Sequence, residues 1–186
     1  MITEQSLNRI WEGCLKNERK QQEMLYKVLA PRMLAACARY ASDRDEAQDI
    51  MQEGFIKVFG SMHKYRGEGS LEGWIRRIMV HSAISRYRKQ KPVVLADELP
   101  EGVTMHMSYN ETGLEAKELL QMIDQLPNNY RNVFNLYAIE GYSHQEIGET
   151  LGITELVSRT TLHRARGVLK DKLSRLNTQE AHRLAC

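Results

Sequence analysis

Apolar residues recur at helical spacing along most of the chain and nowhere alternate as in a half-buried strand. Leu7, Ile10, Trp11 and Leu15 repeat at steps of three and four. Beyond a polar run at 16–23 the period returns at Leu25, Val28 and Leu29. Pro31 is expected to begin or kink the next helix, which carries Met33, Leu34, Cys37 and Tyr40. Ser42-Asp43-Arg44-Asp45 reads as the cap of a helix over 45–62, with Ala47, Ile50, Met51, Phe55, Val58 and Met62 as its apolar stripe. A glycine-containing loop at 65–70 follows. Ser70 then caps a helix over 71–90 that packs through Leu71, Trp74, Ile75, Ile78, Ala83 and Ile84, and Pro92 ends it.

From 92 to about 112 no period is sustained, and Pro100, Gly102 and Asn110 mark a linker. Helical spacing resumes with Leu114, Leu119, Leu120, Ile123 and Leu126. Pro127 restarts it, giving Tyr130, Val133, Phe134, Tyr137 and Ile139 up to Gly141. Ser143 and Glu146 then form an S-x-x-E capping box for a short helix that places Ile147 and Leu151 on one side. Gly152 supplies the positive φ that stops this helix, and Thr154 is the N-cap of a longer one with Leu162, Ala165, Leu169, Leu173 and Leu176 as its stripe. A capped short helix, a glycine turn and a longer basic helix read as a helix-turn-helix. The expected fold class is therefore all-α: a helical domain at 1–91, an acidic flexible linker at 92–113, and a helix-turn-helix domain at 114–186.

A length of 186 residues fits one ordinary domain or two small ones, and a 42% hydrophobic share supports folded cores. No run approaches about 18 consecutive apolar residues, so no membrane insertion is expected. Met-Ile-Thr-Glu-Gln at the start is unlike a signal peptide. Cys14, Cys37 and Cys186 are odd in number and form no C-x-x-C pair, which points to reduced thiols in the cytoplasm. His182 and Cys186 sit four apart but make only a two-ligand pair, so neither a metal nor another cofactor is expected.

Net charge is only +2, but its distribution is uneven. Arg76, Arg77, Arg86, Arg88, Lys89 and Lys91 occupy a stretch without acidic residues. Arg159, Arg164, Arg166, Lys170, Lys172 and Arg175 share another with Asp171 alone, and an acidic segment lies between the two. Either patch alone is compatible with a solvated helix face; together they suggest two nucleic-acid contacts joined by a linker. Trp74 and Tyr87 near the first patch offer planes for bases beside cations for phosphates, unless both are simply core. On the 45–62 helix, Asp45, Asp49, Gln52 and Glu53 lie opposite the apolar stripe. Early carboxylates suit the helix dipole, and without a companion His they suggest an exposed docking face, not acid–base catalysis. The loop at 65–70 is neither a G-x-G-x-x-G nor a P-loop.

Three segments together resemble the bacterial sigma factors, in particular the extracytoplasmic-function group. Asp45-Glu-Ala-Gln-Asp-Ile-Met-Gln-Glu-Gly-Phe-Ile-Lys-Val-Phe59 is similar to the family's helix that docks on the β′ clamp of RNA polymerase. Residues 65–88, from Tyr-Arg-Gly-Glu-Gly-Ser through Trp-Ile-Arg-Arg to Arg-Tyr-Arg, resemble the segment that opens and reads the −10 element. Residues 126–169, beginning Leu-Pro-Asn-Asn-Tyr-Arg, look like the domain that reads the −35 element. The resemblance implies an alternative sigma factor, not an enzyme, whose partners are core polymerase (β and β′), promoter DNA and commonly an anti-sigma factor, with no small-molecule substrate. It assigns core binding to Asp45, Asp49, Gln52 and Glu53, and −10 contacts and melting to Tyr65, Arg66, Trp74, Arg76, Arg77, His81, Arg86 and Arg88. The −35 contacts fall to Ser158, Arg159, Thr160, Thr161, His163 and Arg164. Asp97, Glu98 and Glu101 would line the polymerase's RNA path, or serve only to solubilise the linker.

Two departures from the family stand out. His81 replaces the usual Asn near the −10 pocket, and Leu156 and Val157 replace small residues of the recognition helix. At about 100° per residue, Leu156, Val157, Thr160 and Arg164 oppose the buried stripe, with Arg159 and His163 flanking them. The two apolar residues are compatible with thymine-methyl contacts, with weakened −35 binding, or with simple divergence. A stand-alone helix-turn-helix regulator that binds an operator without polymerase is the alternative reading. It leaves the 45–59 helix and the 65–88 segment without a use.

Overall fold

The computed structural model describes residues 3–90 and 114–184, with side chains described over 3–89 and 118–176. The expected linker, its carboxylates, Lys91 and the His182/Cys186 pair lie outside these limits. The chain forms two units, Met1–Pro92 and Val93–Cys186. All regular structure among the described residues is helical.

The first unit comprises α1 (Glu4–Leu15), α2 (Arg19–Ala38), α3 (Arg44–Gly60), a 3-10 turn (Met62–Lys64) and α4 (Leu71–Gln90). Its core gathers Leu25, Leu29 and Met33 of α2, Ile50 and Val58 of α3, and Leu71, Ile75, Met79 and Ile84 of α4. Of the two expectations for Pro31, that it begins the next helix or kinks it, the first is not met: α2 runs through it as one element. Pro31 is exposed, and so is Lys27, whose carbonyl loses its helical donor there; water can therefore take the place of the missing bond. The start of α2 inside the polar 16–23 run has no sequence signal, because its N-cap Glu18 makes no side-chain bond and its first turn is polar. Asp43 caps α3 by accepting from the Glu46 amide at 2.7 Å, while Glu46 accepts from the Ser42 amide at 2.7 Å and the Ser42 hydroxyl at 2.6 Å.

The second unit contains α5 (Leu114–Asp124), α6 (Asn128–Phe134), a π-helical turn (Asn135–Ile139), α7 (His144–Leu151) and α8 (Glu155–Leu184). Met122, Ile123 and Leu126 pack against Ala165 and Leu169, with Leu120, Tyr130, Phe134 and Val168 around them. Buried Arg131 fixes α6 to the end of α5, donating to the Asp124 carbonyl at 3.0 Å and to Asn128 Oδ1 at 2.8 Å. The regular helix expected up to Gly141 instead widens at Asn135–Ile139, where the Glu140 amide donates to the Asn135 carbonyl at 3.0 Å. The stripe expected on α8 also ends early: Leu162, Ala165 and Leu169 are buried, but Leu173 and Leu176 are about 40% exposed.

Candidate nucleic-acid interface

The helix-turn-helix is built by local chemistry. The Ser143 hydroxyl accepts from the Glu146 amide at 3.2 Å and the Glu146 carboxylate accepts from the Ser143 amide at 2.8 Å, closing the capping box. Gly152 ends α7 at φ 73°, a left-handed conformation that glycine adopts without strain. Thr154 opens α8 by accepting from the Val157 amide at 3.2 Å. Gly148 lets the turn close tightly, because a Cβ there would lie 2.8 Å from the Ile153 carbonyl oxygen.

Arg159, Thr160, His163 and Arg164 are exposed on α8, and Thr161 is half-buried. Ser158 is not on this face: it is fully buried and shares a 2.9 Å hydrogen bond with Nδ1 of His144. Ser158 lies four residues before Leu162 and seven before Ala165, so the stripe itself carried the signal for its burial. His144 stacks on Tyr137 with ring centroids 4.6 Å apart, and the Arg166 guanidinium lies 5.5 Å from the Tyr137 ring centroid. Partial burial, then the charge of Arg159, hold the His144 pKa below its usual value; Glu155 pulls the other way, and Arg166 adds a smaller lowering. Leu156 is 70% exposed, whereas Val157 is only partly so.

In the first unit, Gly67 and Gly69 take positive φ and shape the loop before α4. The Tyr65 hydroxyl donates to the Gly69 carbonyl at 2.9 Å, and Ser70 caps α4 by accepting from the Gly73 amide at 3.1 Å. Tyr65 and Trp74 are half-buried, not open stacking platforms, and Trp11 of α1 joins them in a trio with centroids 5.5–5.8 Å apart. Arg66, Arg77, His81 and Arg88 are exposed, and Arg76 is half-buried.

Arg86 departs from the sequence reading. It turns onto α3, where its Nε lies 3.4 Å from Glu46, its Nη2 3.3 Å from Asp49 and its Nη1 3.2 Å from Glu53. It therefore neutralises two residues of the expected docking face instead of extending the basic surface. Its spacing of three from Ala83 and seven from Met79 places it on the packed flank of α4. Asp45, Asp49, Gln52 and Glu53 are exposed on α3 together with Ile56, which is 72% exposed. Ile56 was missed from sequence because it falls outside the buried stripe. Its spacing from Asp49, Gln52 and Glu53 would have placed it on their face.

Cys14 and Cys37 are buried thiols, and burial pushes the Cys14 pKa up to about 11. Among the described residues no group of three or more His, Cys, Asp or Glu side chains can hold a metal, and no helix is long and apolar enough to cross a membrane.

Two family models match the chain: Sigma-70 region 2 over residues 25–93, and Sigma-70, region 4, over residues 116–169. The chain is 31% identical over 164 residues to the ECF RNA polymerase sigma factor SigE of Mycolicibacterium smegmatis, a match covering 84% of this chain and 63% of that relative. It is also 31% identical over 150 residues to the ECF RNA polymerase sigma factor SigW of Bacillus subtilis, covering 74% of this chain and 80% of the relative. Among solved structures, the sigma factor RpoE of Bartonella quintana, in complex with the anti-sigma factor NepR, shares the fold at a TM-score of 0.53. Identity to it is 18%, over 82% of this chain and 96% of that one. With the two regions matched in order and the SigW relative matched over four-fifths of its length, the chain belongs to the extracytoplasmic-function RNA polymerase sigma factors, the alternative sigma factors of transcription initiation.

Proposed function

We propose that the Met1–Pro92 unit binds core RNA polymerase and opens the −10 element, while the second unit reads the −35 element, with residues 92–113 linking them. Core binding falls to the α3 face of Asp45, Asp49, Gln52, Glu53 and Ile56, and −10 contacts to Arg66 of the loop before α4 and to Arg77, His81 and Arg88 along α4. Arg159, Thr160, His163 and Arg164 make the −35 contacts by entering the major groove, which a helix fits. The protein acts in the cytoplasm by recruitment and has no catalysis of its own. An anti-sigma factor is a further partner, by analogy with the B. quintana neighbour solved with one.

The observation that carries this reading is the pairing of an exposed acidic and apolar face on α3 with a fully capped helix-turn-helix in the same chain. A stand-alone operator-binding regulator has no use for the former. The test is reconstitution: purified chain with purified core polymerase, followed by run-off transcription from promoters that share an upstream motif after overexpression. Co-elution and promoter-dependent transcripts are expected. DNA binding by the chain alone, without co-elution, would establish the regulator instead.

A further inference from the structure

We infer that Leu156 determines upstream specificity by packing on the C5-methyl of a thymine in the major groove, with the γ-methyl of Thr160 beside it. This rests on the −35 role proposed for α8. The polar capacity at the start of that helix is turned onto the helix itself. Arg159 is paired with Glu155 of the preceding turn, its Nε 3.1 Å from Oε1. The Thr160 hydroxyl lies 3.1 Å from the Leu156 carbonyl and 3.0 Å from that of Val157, so its hydrogen is engaged by the backbone. Beside the exposed Arg159–Glu155 pair, what this turn offers a partner is therefore apolar: a Leu that is 70% exposed and the methyl of a Thr four residues on. Arg164 is exposed about one turn further along, beside His163, and Arg166 adds a second cation on this stretch of α8.

That charge selects an anionic occupant, and the helix-turn-helix selects duplex DNA. In the major groove, the thymine methyl is the apolar feature among donors and acceptors, and it distinguishes thymine from cytosine. An apolar side chain there reads a methyl where Arg would read guanine. Leu156 makes no contribution to either core, so truncating it leaves the fold intact.

The test uses holoenzyme reconstituted from core polymerase and the full chain, with a promoter library randomised across the upstream element. The wild type should select at least one invariant thymine, and replacing it by deoxyuridine, which lacks only the methyl, should weaken holoenzyme binding about fourfold. Leu156→Ala should weaken binding to the thymine template by about tenfold and be indifferent to the deoxyuridine change. An equal deoxyuridine effect in the wild type and in Leu156→Ala, or none in the wild type, overturns the assignment. If the wild type shows no upstream preference at all, the −35 reading falls and this inference with it. An upstream preference without methyl sensitivity sinks this inference alone.

Discussion

Helices α4 and α8 carry similar basic sequences, yet the fold uses their charges differently. On α4 the guanidinium of Arg86 is drawn onto Glu46, Asp49 and Glu53 of α3 and helps hold two helices together. On α8, Arg159 pairs with Glu155 within the helix, and His163 and Arg164 are exposed. Composition along a stretch therefore does not say whether a cation meets a ligand or a neighbouring helix. The phase of each residue relative to the buried stripe does, and exposed pairs like Arg159–Glu155 add only about 0.3–0.5 kcal/mol to the helix.

The strongest challenge to this comparison removes the stripe instead of the charges. Ile75 of α4 is fully buried, so Ile75→Ala should cost about 2–5 kcal/mol in urea denaturation. A loss no larger than that of an exposed-charge variant would mean that α4 is not seated by its apolar face. Next in size, Arg164→Ala should remove about 1–3 kcal/mol of promoter discrimination and silence the cognate promoter, with core affinity unchanged. Equal loss of core binding and transcription would show that the substitution disturbs the whole protein and that Arg164 is not a specific contact.

What sequence made legible follows the same division. Caps and stops were readable because they depend on a few neighbouring residues: Asp43, Ser70, Ser143 with Glu146, Gly152 and Thr154 all act as their residue types predict. The all-helical class and the helix-turn-helix follow from these and from the period. Features set by packing were not readable in the same way. The passage of α2 through Pro31 depends on which side of the helix faces water, and the π turn at Asn135–Ile139 has no local residue signature. At the site, Ser158 and Arg86 were misplaced because both are polar, although spacing from Leu162 and Ala83 put each on a packed side. Ile56 was overlooked for the converse reason, being apolar but out of phase with its stripe.

Arg86 itself gives a finer test. Its side chain is about one-quarter exposed (28%), and two of its three carboxylate partners are more than half exposed, so solvent screens much of the attraction. Arg86→Ala should cost about 1 kcal/mol at low salt, and the difference should shrink as ionic strength rises, because what is lost is Coulombic. Unchanged stability with weakened promoter affinity would return Arg86 to the DNA-contacting group.

The smallest expected effect lies in the second unit, where a histidine rather than an arginine joins two helices. His144, at the start of α7, hydrogen-bonds Ser158 of α8, and its pKa is lowered chiefly by burial and next by Arg159. A lowered histidine pKa means that the unfolded chain binds the proton more readily, so stability rises with pH across the window. The contribution is complete above the ordinary histidine range near 6.5 and is lost as pH falls through the lower folded value. Denaturation at pH 7.5 and pH 5.5 should therefore show a modest loss on the acid side, and His144→Asn, which keeps a hydrogen-bonding group without the titration, should reduce that loss. If the variant keeps the full acid sensitivity, the proton is taken up elsewhere, and the His144–Ser158 bond joins α7 to α8 without making the recognition helix respond to pH.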